Sequence, residues 1–152
     1  MPNLPQRESD RSVEPSPPPG GLDRSLPAAR RLRRSALFTE TFAQGRKWVG
    51  RRMVLWLRAG EGAALRLGVV AGKKAHRRAV ERNRARRRLR ELYRRLRPFL
   101  RGDRDVVLVA RRGVTDAPWG ELVEEILHLT RRAGLLDADR VEQARRELLG
   151  KR

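Results

Sequence analysis

Arg82, Asn83, Arg84, Arg86, Arg87 and Arg90 fall within one short stretch, AVERNRARRRLRELYRR (79–95). A guanidinium offers a planar fork of donors, so arginines at this density suit bidentate contacts to phosphates and stacking on bases. Asn83 adds a donor and an acceptor that an all-arginine surface lacks. Lys73 and Lys74 come just before, and residues 73–104 carry fifteen Lys or Arg against Glu81, Glu91 and Asp103. A charge run is usually only a solvated face, but solubility does not require charge to be concentrated in one segment. Crowded arginines repel one another, and a polyanion would relieve that repulsion. Contact with about six phosphates would lower affinity on the order of a thousandfold between 50 and 200 mM salt, through counterion release.

Phe38, Phe42 and Trp56 form a second constellation with two readings. The rings are either ordinary core, or a platform on a partly open sheet face where single-stranded nucleic acid can stack. A self-contained catalytic centre is hard to assemble. His76 and His128 are the only histidines, and the chain has no cysteine. No Ser/His/Asp or paired-carboxylate arrangement stands out. GEG (60–62) and AGKK (71–74) lack phosphate-loop spacing. Asp103 and Asp105 flank Arg104, and a loop-to-strand boundary explains them more simply than a metal does.

The elements that must position these residues follow from periodicity. Ala85, Leu89, Leu92 and Leu96 recur at helical spacing and form a buried stripe. Asn83, Arg87, Arg90 and Arg94 then lie on the opposite face of a helix running from Arg78 or Val80 to Arg97, where Pro98 stops it. Glu91 is spaced to pair with Arg87, Arg94 or Arg95. SALFTETFAQG (35–45) reads as a short helix with Phe38 and Phe42 on one face and Gly45 beyond its end. RMVLWLR (52–58) alternates as a strand does, and LRLGVVA (65–71) resumes after the glycines of 59–63, so the two are expected to form a hairpin. DVVLVAR (105–111) is a continuous apolar run, as in a strand covered on both faces. A last helix has Thr115 or Asp116 as cap and Pro118 in its first turn. Trp119, Leu122, Ile126, Leu129 and Ala133 make its stripe, and Gly134 ends it. The order is helix, strand, strand, helix, strand, helix: a two-layer α/β (α+β) sandwich with helices on a small mixed sheet.

The chain has 152 residues and a net charge of +19, which points to nucleic acid or an anionic surface as partner. No apolar run is long enough to span a membrane, and the N-terminal stretch lacks a signal-peptide core. The absence of cysteine excludes disulfides and zinc fingers and fits a cytoplasmic location. Seven of the nine prolines precede Ala28, so residues 1–29 read as a disordered extension. Residues 30–136 form the folded domain. Residues 137–152 are a charged tail, either a short mixed-charge helix or frayed.

RNRARRRLRE (82–91) resembles the signature RNRxKRxxRE of the protein subunit of bacterial ribonuclease P, with Arg86 at the position usually held by lysine. RLGVVAGKKAHRRAVERNR (66–84), LRRSALFTETFAQGRKW (32–48) and DVVLVAR are similar to the same family's segments, in the same order. The resemblance implies a ribonucleoprotein that removes the 5′ leader from precursor tRNA. Its RNA subunit is the catalyst and holds most of the magnesium, with none held by the protein alone. It implies that Arg82, Asn83, Arg84, Arg86, Arg87 and Arg90 face the catalytic RNA, with Lys73 and Lys74 close by. Phe38, Phe42 and Trp56 would line the cleft for the leader. It also implies a left-handed βαβ crossover, against the general rule, and no obligate protein partner. The rival reading is a ribosomal or other structural RNA-binding protein, which needs no open aromatic groove. A nuclease acting alone and a membrane-surface protein fit less well.

Overall fold

The computed structural model describes residues 30–32 and 35–150; the proline-rich extension lies outside them. Helix α1 (Ser35–Gln44) is followed by strands β1 (Lys47–Val49), β2 (Met53–Arg58) and β3 (Leu67–Val70). Helix α2 (Ala79–Leu96), strand β4 (Asp105–Ala110) and helices α3 (Trp119–Arg132) and α4 (Val141–Gly150) complete the order. The result is an α+β fold with one four-stranded mixed sheet.

The strand order is β1-β2-β4-β3, so the expected hairpin between β2 and β3 does not form. β4 lies between them, antiparallel to β2 and parallel to β3. The hairpin is instead β1–β2, with Trp48 opposite Leu55. β3, α2 and β4 make a βαβ unit whose crossover is the basic helix.

Strand alternation divides the sheet into two faces. Met53, Leu55, Leu57, Leu67, Val106, Leu108 and Ala110 point to one side, where they form a single core with Leu89, Leu92, Leu96, Leu122 and Ile126. The α2 stripe of Ala85, Leu89, Leu92 and Leu96 is fully buried, as its spacing requires. Tyr93 joins it, donating from its hydroxyl to the Leu65 carbonyl at 2.8 Å. Burial raises the Tyr93 phenol well above its ordinary range, so it remains a donor there.

α2 ends at Leu96, and Pro98 sits in a 3₁₀ turn over Arg97–Phe99. α3 starts without a side-chain cap: Pro118 itself is the N-cap, and neither Thr115 nor Asp116 fills that position. Both precede the cap in a turn whose backbone is tied to Gly113 by the amides of Asp116 and Ala117. Gly134 (φ 82°) follows the Ala133 C-cap, as its sequence position suggests. Beyond Leu136 the chain forms a 3₁₀ turn (Ala138–Arg140) and α4, which buries Ala144 and Leu148. The Trp119 indole N–H donates to the Leu148 carbonyl at 3.0 Å, and Arg145 pairs with Glu124 at 2.7 Å.

Candidate nucleic-acid interface

α1 lies on the sheet face opposite the main core and covers only part of it. Phe42 meets Trp56 edge to face with centroids 4.9 Å apart, and the Lys47 ammonium sits 5.1 Å from the Trp56 ring. Phe38 does not share that contact. It packs over Gly68, where an added Cβ would lie 2.5 Å from the ring. Gly68 is thus glycine because an aromatic side chain occupies the space above it. Phe42 remains 38% exposed, so it is not a core residue.

Beside the aromatic pair, Val49 faces Val54, Val54 faces Val109 and Val109 faces Val70. This cross-strand row is partly or fully exposed throughout. It spans three inter-strand spacings, roughly 14 Å, enough for about four stacked nucleotides. None of these valines carries a local signal in the sequence. Each is an unremarkable strand residue, and only the β4 insertion aligns them.

The far end of this face is closed by ions. Asp105 is fully buried and accepts from Arg58 Nη1 at 2.9 Å and Arg66 Nη2 at 2.7 Å. The backbone amides of Ala64 and Arg66 also donate to it, both at 3.0 Å. Arg58 reaches on to Glu40 of α1 at 3.1 Å. Burial alone would lower the Arg58 pKa, but its hydrogen bonds to Glu40 and Asp105 outweigh that and raise it. Gln44 adds two hydrogen bonds with the backbone of Ala59, each 2.8 Å. α1 is therefore clamped over the sheet largely by polar contacts. In the sequence Asp105 presents only a strand boundary, since its arginine partners lie 47 and 39 positions away.

The basic residues sort by orientation. Lys73 and Lys74 are exposed in the loop after β3, and Asn83, Arg84, Arg87 and Arg90 are exposed along α2. Arg86 is half-buried and donates to the Asn83 side-chain oxygen at 2.6 Å. Arg82 turns inward, donating to the carbonyls of His76 at 3.0 Å and Arg77 at 2.8 Å, so it also fastens the lysine loop to the helix. Arg88 donates to the carbonyls of Val114, Thr115 and Ala117 and holds the turn before α3. Glu91 pairs with Arg94 at 2.8 Å and, more distantly, with Arg95. Partial burial and the charges of Arg31 and Arg86 lower the Arg90 pKa.

The molecule thus carries an aromatic pair and an apolar floor on one face of the sheet, and a run of exposed cations on the helix packed against the other. Its sequence falls in a known group: the family model for Ribonuclease P matches residues 26–134. The chain belongs to the ribonuclease P family. A ribonuclease P protein component from Symbiobacterium thermophilum is 40% identical over 112 residues, covering 73% of this chain and 96% of the relative. One from Chloroflexus aggregans is 36% identical over 115 residues, covering 75% and 84%. Among solved structures, the RNase P protein of Thermotoga maritima superposes with a TM-score of 0.58 at 26% identity, covering 66% of this chain and 96% of that one. The Staphylococcus aureus RNase P protein gives 0.61 at 22% identity, covering 71% and 98%. The ribonuclease P family match ends before α4, so the contacts that α4 makes with Trp119 and Glu124 lie beyond the shared span.

Proposed function

We propose that this chain is the protein subunit of a ribonucleoprotein ribonuclease P. It binds the catalytic RNA through α2 and the lysine loop, and it holds the 5′ leader of precursor tRNA across the open sheet face. The RNA cuts the phosphodiester bond that releases the leader. The observation that carries this reading is the presence of two different surfaces: an exposed arginine face on α2, and an open sheet face where the Phe42–Trp56 pair is left accessible. A protein that only scaffolds folded RNA has use for the first but not the second.

The division of labour follows from the chemistry of each surface. Arginine forks suit the closely spaced phosphates of folded RNA. A single strand exposes base faces, and aromatic rings take these without regard to sequence. Magnesium belongs to the RNA in this reading. The two oxygens of Asp105 are already engaged by arginines and amides, and among the described residues no three His, Asp or Glu side chains cluster as ligands. Among the described residues, too, no helix is long and apolar enough to cross a membrane.

Phe42→Ala tests the groove. Loss of one stacked base is worth about 1–3 kcal/mol, so affinity for precursor tRNA should fall roughly tenfold while affinity for mature tRNA holds. Titrating the reconstituted ribonucleoprotein with both ligands checks this. Equal losses for the two ligands would favour a scaffold that does not read the leader.

A further inference from the structure

Two arginines of the basic helix face neighbouring helices rather than solvent. Arg88 and Arg95 share one flank of α2, between the buried stripe and the exposed Arg84. Arg95 is only 4% exposed. Its guanidinium carbon lies 6.0 Å from the centre of the Trp119 ring, and that of Arg88 lies 5.9 Å from the same ring. Arg88 is held as well by the carbonyls of the turn before α3. Arg95 reaches toward α4, with its Nη2 3.5 Å from the Glu147 carbonyl. Its acidic neighbour Glu91 is 3.9 Å away and already engages Arg94 through both oxygens.

α4 supplies what a buried guanidinium needs. The last carbonyls of a helix have no partner within it, and they carry the negative end of the helix dipole. In α4 the carbonyls of Glu147 and Leu148 are met by Arg95 and by the Trp119 indole N–H, so the end of α4 and the flank of α2 satisfy each other. The indole ring adds a cation–π contact to each arginine. α4 is pinned in this place by the buried Ala144 and Leu148 and by Arg145, which pairs with Glu124 of α3. All of α4 lies beyond residue 134, where the family match ends.

We propose that α4 is a specificity element: by enclosing Arg95 beside Trp119, its last turn confines the RNA-binding charge of α2 to the exposed stripe of Arg84, Arg87 and Arg90. The inference rests on the reading of α2 as the face for the catalytic RNA. An uncovered Arg95 would widen that stripe on the Arg84 side. It would take a phosphate from any RNA, and phosphate contacts carry no sequence information. Unrelated RNA therefore gains more from its release than the catalytic RNA, whose fit to α2 is set by the three exposed arginines.

The test titrates the full chain, between about 50 and 200 mM salt, with a bacterial ribonuclease P RNA and with an unrelated RNA duplex. Leu148→Ala loosens the last turn of α4. It should strengthen binding of the unrelated duplex roughly tenfold, as one charge-assisted contact does, and steepen its log-log salt slope by about 0.9, the value for one duplex phosphate. The catalytic RNA should gain less. Trp119→Phe keeps an aromatic ring but removes the indole N–H; it should act in the same direction to a smaller extent, and it carries the test where Leu148→Ala melts below the assay temperature. Adding Arg95→Ala to either variant should abolish both the gain and the added slope, which separates release of this arginine from a general loosening of the fold. A gain that survives Arg95→Ala, an equal gain on both RNAs, or no gain from either variant overturns the proposal. Arg87→Ala with Arg90→Ala in the same titration separates the levels. If that pair lowers affinity for the catalytic RNA while the α4 variants leave the duplex unchanged, only the confinement fails; if the pair changes nothing, the reading of α2 fails and the confinement with it.

Discussion

Asp105→Ala is expected to destabilise the protein by about 3–5 kcal/mol, the range for removing one partner of a buried ion pair. The reason lies in what would be left behind. Arg58 is 3% exposed and would keep its charge with only Glu40 as counterion, at the rim. The amides of Ala64 and Arg66 would lose their acceptor together. Urea unfolding checks the value, and Asp105→Asn, which keeps an acceptor in place, should lose less. The loss should also reach function, since Arg58 connects Asp105 to Glu40 and so to the helix that carries Phe42. A change within 1 kcal/mol for Asp105→Ala would mean that this network does not organise the closed end of the groove.

Arg87→Ala combined with Arg90→Ala should do the opposite to the two properties. Both side chains are exposed, and Arg90 already titrates below its ordinary value through partial burial and the charges of Arg31 and Arg86. Removing them relieves repulsion and introduces the best helix former, so stability should hold or rise by a few tenths of a kcal/mol. Affinity for the catalytic RNA should fall by about a hundredfold to ten-thousandfold, from two charge-assisted contacts at about 1.5–3 kcal/mol each. The salt dependence of that affinity should flatten by about 1.5 in log-log slope, for two phosphates. Binding isotherms at several salt concentrations, with a thermal melt as control, separate this from misfolding. A melt that collapses, or a slope that does not change, would place these arginines in the fold and not at the interface.

These two variants also mark what was legible in the chain. The basic helix was, because one 3.6-residue period sorts Leu89, Leu92 and Leu96 from Arg87 and Arg90, and nothing distant is needed to read it. α1 and the strand at 105–110 were legible for the same local reason. The partnering of β2 was not. Strand periodicity gives a face and no neighbour, so the short β1 was missed and β4 was not expected between β2 and β3. Everything that depends on that insertion was hidden with it. The valine row is continuous only because β4 joins β2 to β3, and Asp105 meets Arg58 and Arg66 only there. The aromatic pair was half legible: Phe42 does lie on Trp56, while Phe38 serves a glycine of a different strand. Arg95 shows the same limit, since the carbonyl it reaches lies 52 positions later.

The central claim is that the protein completes an RNA enzyme by holding the leader while the RNA cuts. The most direct measurement is precursor-tRNA cleavage at low magnesium by the protein alone, by a bacterial ribonuclease P RNA alone, and by the two together. The account predicts a mature 5′ end only in the combination. Cleavage by the protein alone, or a mixture no more active than the RNA although the two bind tightly, would contradict it.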